Sequence, residues 1–127
     1  MHIKMDIEEL RVYQQSMALG EKVWDIVLKW NWFAKDTVGK QLVKAVDSVA
    51  SNLSEGFGRY HYREAVHFYY YSRGSLYETK TWLTKANNRK LISDNDFKFF
   101  MKEIKDIGVK LNNYINSIGK QKQPNDN

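Results

Sequence analysis

The chain has 127 residues, a net charge of +5, 43% hydrophobic and 28% charged residues, one proline and no cysteine. This is one domain's length with an ordinary globular composition. It excludes a disulfide framework and thiol chemistry, and no apolar run approaches the ~18 residues that a membrane helix needs.

Scarce proline and glycine leave little punctuation for an all-β fold, so long helices are favoured. The start, MHIKMDIEEL, carries acids where a signal peptide needs a continuous apolar core. A cytoplasmic protein without membrane contact is expected.

The first helix is expected over about 7–30. Leu10, Tyr13, Met17, Gly20, Trp24 and Val27 recur at three- and four-residue steps, the spacing of one buried stripe. Asp6, Glu8 and Glu9 fall in its first turn, where the helix dipole favours acids. Gly20, on the stripe itself, suggests a close helix approach. A connection follows at 31–36 with two aromatics, Trp32 and Phe33, which cap the bundle end or face a partner. Asp36 is the expected N-cap of a second helix over 37–56, with Val38, Leu42, Ala45, Val49 and Leu53 inward. Gly56 and Gly58 then break it, one of them as the left-handed C-cap residue.

The third helix is expected over 62–87, with Ala65, Phe68, Ser72, Ser75, Leu76, Thr79, Leu83 and Ala86 inward. Tyr69, Tyr70 and Tyr71 are consecutive and cannot all face one core; Gly74 and Ser75 suggest a close approach opposite them. Ser93, with Asp94 and Asp96, starts a fourth helix over 94–118. Its apolar face runs from Phe97 through Phe100, Met101, Ile104, Ile107, Leu111, Tyr114 and Ile115 to Ile118. Residues 120–127 read as a disordered polar tail. Residues 1–119 therefore form an all-α, up-down-up-down antiparallel four-helix bundle.

Several chemistries can be weighed against this bundle. Glu64-Ala-Val-His67 puts two metal-ligating groups on one helical face, but a two-metal bundle needs a second Glu-x-x-His, and the sequence has none. No metal or other cofactor is expected. Glu55-Gly-Phe-Gly-Arg59 lacks the Lys-Ser/Thr ending and glycine spacing of a phosphate loop, and no serine lies in a nucleophile elbow. Catalytic residues are not identified and no enzyme activity is expected. Asn52, Glu55, Arg59, Glu64 and Glu78 form instead a candidate structural network that is buried or half-buried and fixes helix register.

The segment Asn52-Leu-Ser-Glu55-Gly56-Phe-Gly58-Arg59, followed by Glu64, Phe68 and Gly74-Ser75-Leu76-x-Glu78, resembles the signature of the 23S rRNA-intervening-sequence proteins. Val12-Tyr13-Gln14 and Gln41-Leu42-x-Lys44-Ala45 resemble the same family's pattern, with Lys44 where the family often has arginine. The resemblance implies a cytoplasmic bundle that assembles as a homopentamer. It also implies kinship with the accessory protein of diversity-generating retroelements, a basic pentamer that engages nucleic acid and a reverse transcriptase.

The charge distribution points the same way. Between Arg59 and Lys90 lie seven cations and two acids, so this window holds the whole net excess. Arg59, Arg63, Lys80, Lys85, Arg89 and Lys90 are the expected nucleic-acid-binding residues, contacting RNA or DNA phosphates without base readout. Eighteen Phe, Trp and Tyr residues exceed what one thin bundle needs, which favours a homo-oligomer that buries the surplus. The alternative is a protein-interaction scaffold presenting Trp32, Phe33 and the tyrosines.

Overall fold

The computed structural model describes residues 5–119; the expected polar tail at 120–127 lies outside them. Four helices dominate: α1 (Arg11–Val27), α2 (Lys40–Phe57), α3 (Tyr62–Asn88) and α4 (Asp94–Gly119). Each packs on its sequence neighbour, and α1 closes on α4. This is the expected all-α four-helix bundle.

The first helix is shorter than its periodicity suggests. Ile7–Glu9 form a separate 3-10 turn, and Leu10 is extended at φ −80°, ψ 116°. The Asp6 amide donates to the Glu9 carboxylate at 3.2 Å, which closes that turn on itself. The buried face of α1 also differs: it is Val12, Ser16, Leu19, Gly20, Val23 and Val27, while Met17 and Trp24 are 43% and 50% exposed. Two apolar stripes lie side by side on this helix, and the small aliphatic one forms the core. Ser16 sits there without cost because its hydroxyl donates to the Val12 carbonyl at 2.7 Å.

The second helix begins earlier than expected. Asn31, not Asp36, is the N-cap, its side chain accepting from the Ala34 amide at 3.0 Å. A helical turn at Trp32–Ala34 and a π-helical turn at Lys35–Gly39 lead directly into α2. Asp36 pairs instead with Lys40 at 3.3 Å. The expected stripe Val38, Leu42, Ala45, Val49 and Leu53 is wholly buried.

The end of α2 is not left-handed. Gly58 has φ −78°, and among the described residues no glycine has positive φ. Gly56 serves close packing: a Cβ there would sit 2.6 Å from the Tyr69 ring and 2.9 Å from the Ala65 carbonyl oxygen. The left-handed residue stands instead after α3, at Lys90 with φ 60°. Lys90 N–H donates to Asn87 at 3.0 Å and Leu91 N–H to Ala86 at 2.9 Å, the paired bonds of a Schellman end.

Along α3 the buried aromatic is Tyr69, not Phe68, which is only half-buried, as is Ser75. Burial shifts the Tyr69 phenol strongly upward, and its contact with the Tyr114 hydroxyl at 3.3 Å adds to the shift. Ser72 donates from α3 to the Val49 carbonyl of α2 at 2.7 Å, a buried link between the helices. Gly74 has nothing within 4 Å, so it permits no close approach inside this chain. Ser93 caps α4 as expected, accepting from the Asp96 amide at 3.1 Å.

Candidate nucleic-acid interface

The α2–α3 turn places Arg59 just past the end of α2 and Glu64 in the first turn of α3. Arg59 donates to the Glu55 carboxylate at 2.6 Å, lies 4.0 Å from that of Glu64, and stacks 4.8 Å over the Phe68 ring. These three charges meet as the turn spacing predicts, but the cluster is open to solvent: the Arg59 and Glu55 side chains are 39% and 54% exposed. The two other members expected in this network lie apart. Asn52 donates back to the Ser48 carbonyl at 2.9 Å. Glu78 is exposed on the outer face of α3, fourteen residues and thus about 20 Å beyond Glu64. The buried register-fixing contacts are those of Gly56, Ser72 and Tyr69.

The six expected nucleic-acid cations form three groups rather than one face. Arg59 and Arg63 stand at the α2–α3 turn and line a hollow of about 380 Å³ with Glu64, His67, Phe68 and Tyr71. Lys85, Arg89 and Lys90 stand together at the far end of α3; Lys85 lies 5.9 Å from the Trp82 ring, and Arg89 is the C-cap residue. Lys80 stands between them. The two ends are separated by most of a 27-residue helix, about 40 Å. Glu64 and His67 are exposed on the outside of α3, the opposite of the inward placement that a bundle metal site requires.

Two cations outside the expected set join Lys80. Arg73 and Lys105 border a groove of about 690 Å³ between α3 and α4, floored by Leu76, Met101, Ile104 and Gly108. Arg73 donates to the Asn112 side chain at 3.0 Å and lies 4.8 Å over the Tyr70 ring. Its spacing of seven residues from Lys80 shows in the sequence that both share one helical face. Lys105 reaches the group from α4, and only the pairing of α3 with α4 brings it there. Among the described residues, Arg59 is the only one of the expected nucleic-acid cations held in an ion pair.

The fold and this surface define a helical-bundle protein with separated groups of cations along its third helix and at that helix's two ends. No group of three or more metal-ligating side chains occurs among the described residues, and none of their helices is long and apolar enough to cross a membrane. The chain belongs to the 23S rRNA-intervening sequence protein family, whose model matches residues 8–113. It is also similar to a solved structure, a protein of unknown function from the S23 ribosomal protein family of Bacteroides thetaiotaomicron. That likeness has a TM-score of 0.73 at 15% identity, covering 82% of this chain and 97% of the other. A comparison with curated proteins finds no match.

Proposed function

We propose that this protein is a cytoplasmic, non-enzymatic accessory protein that assembles as a homo-oligomer, a pentameric ring as the family resemblance implies, and binds RNA or DNA through phosphates without sequence preference. The observation that carries this reading is the unpaired group Lys85, Arg89 and Lys90 at one helix end, with no carboxylate paired to it among the described residues. Arg89 and Lys90 are exposed and Lys85 is half-buried beside them; clustered cations attract a polyanion by counterion release, which needs no particular base sequence. Symmetry would repeat the cluster around a ring and raise its effect. A reverse transcriptase or another protein is a further partner consistent with the resemblance.

A second reading has its own support. Trp32 and Phe33 are 74% and 70% exposed, and neighbouring aromatics of this size suit a protein contact. On that reading the bundle is an interaction scaffold and the cations only keep it soluble.

Fluorescence anisotropy with labelled RNA and DNA duplexes over a range of salt separates the two. The nucleic-acid reading expects affinity that falls with salt, by a log–log slope of about −0.9 per DNA phosphate neutralised. Absence of binding to both at ~50 mM salt, where such contacts are strong, would favour the scaffold.

A further inference from the structure

Two grooves run along opposite sides of the bundle, because α1 packs on α2, α3 on α4, and each pair closes on the other. Their charges are opposite. The α3–α4 groove is bordered by Arg73, Lys80 and Lys105 and lined by no carboxylate. The α1–α2 groove, about 430 Å³, is lined by Glu21 and Asp47 and by no cation. Both have exposed apolar shoulders: Tyr77 and Val109 at the first are 64% and 53% exposed, and Met17 and Trp24 stand on α1 beside the second. Among the described residues no hydrogen bond or ion pair holds the side chain of Glu21, Asp47, Lys80 or Lys105.

We infer that a second copy of this chain docks head to tail, its α1–α2 edge seated in the α3–α4 groove, with Glu21 and Asp47 meeting Lys80 and Lys105. This rests on the homo-oligomer reading above and names the surfaces that would build it. A heterologous contact of this kind uses two different patches, so every copy offers one of each and the chain of contacts can close into a ring. Asp47 is suited to the role. It lies over Gly20, where a Cβ would come 3.1 Å from its carboxylate oxygen, so the absence of a side chain at that position makes room for it.

Asp47 is exposed, yet partial desolvation by its neighbours and the nearby Glu21 raise its carboxyl above the ordinary range, and a cation arriving from a second copy relieves the repulsion. Lys40 and Lys44 border the same edge further along. A docking that slid the groove's cations onto them is repelled, which fixes the register. The contact also covers Lys80 and leaves Lys85, Arg89 and Lys90 for nucleic acid.

The test is a charge swap in the full chain, read by sedimentation velocity, with far-UV circular dichroism to confirm that each variant is helical. The wild-type chain is expected to associate at micromolar concentration. Lys80→Glu with Lys105→Glu, and separately Glu21→Lys with Asp47→Lys, are each expected to weaken association by at least about tenfold, since like charges then face each other. All four substitutions in one chain are expected to restore it. A monomeric wild type overturns this inference and the homo-oligomer reading together. An oligomeric wild type whose paired variants associate unchanged, or whose fourfold variant is not rescued, overturns this interface alone and leaves the oligomer to another surface.

Discussion

The seam between α2 and α3 and the groove between α3 and α4 share one helix, yet they are built on different terms. At the seam, Gly56 admits the Tyr69 ring, Ser72 reaches across to the Val49 carbonyl, and Leu53 is fully buried. In the groove, Gly108 leaves Leu76 at ordinary contact distance, Tyr77 and Val109 are exposed, and Lys80 and Lys105 have no partner among the described residues. One face of α3 therefore devotes its residues to holding the fold. Another leaves apolar surface and charge unmet, which is what an intermolecular contact requires. The family signature from Asn52 to Arg59 lies on the holding side.

The contrast can be broken at its strongest point. Leu83 is fully buried, and Leu83→Ala should cost about 3 kcal/mol of unfolding free energy in urea titration, through reduced burial and the cavity left behind. Gly56→Ala should cost about 2 kcal/mol by overpacking against Tyr69 and the Ala65 carbonyl, although Ala is the better helix former. A neutral result there would mean that the seam is looser than its geometry. Gly74→Ala is the counterpart: with nothing within 4 Å of its site, it should gain up to about 1 kcal/mol from helix propensity alone. Glu55→Ala should cost less than about 1 kcal/mol, because its pair with Arg59 is exposed and screened. A loss near 3 kcal/mol would restore the buried network expected from the sequence.

The smallest effect is one of pH. The Asp47 carboxyl is raised above its ordinary 3.8, first by partial desolvation against its neighbours and then by Glu21. The folded chain holds this proton more tightly than the unfolded chain, so ionising Asp47 weakens the fold. That penalty is absent below the ordinary value, grows as pH rises through it and through the raised value, and is complete above both. Asp47→Asn should therefore raise the Tm of the monomer at pH 7, with the gain fading as pH falls toward 3. A gain independent of pH would assign the effect to something other than ionisation.

Helix number, order and the faces of α2 and α4 were legible in the sequence because each has one apolar stripe. On α3 Ala65, Ser72, Leu76, Thr79, Leu83 and Ala86 are buried as expected and only the aromatic slips by one residue, whereas on α1 the stripe slips at Met17 and Trp24; the cause is the same in both. Met17 and Trp24 compete with Leu19 and Val23, and Phe68 with Tyr69, so periodicity finds two faces and cannot rank them. The neighbouring helix decides: α2 presents Gly56 to Tyr69, and α1 buries its smaller stripe. The basic window was legible as composition. Its division into three groups was not, since the length of α3 separates its ends and Lys105 enters only through the pairing with α4. Arg59, the cation most prominent in the family signature, is the one already neutralised.

We propose that the far end of α3, and not the α2–α3 turn, meets nucleic acid. This is tested most directly by the salt dependence of binding for three chains: wild type, Arg59→Ala, and Lys85→Glu, Arg89→Glu and Lys90→Glu combined. Wild type is expected to show a steep slope, and Arg59→Ala nearly the same slope and affinity. The triple variant is expected to show a weaker affinity on every sequence, with a slope shallower by about 0.9 for each duplex-DNA phosphate that is no longer neutralised. Unchanged binding by the triple variant, or a loss confined to Arg59→Ala, would contradict this proposal.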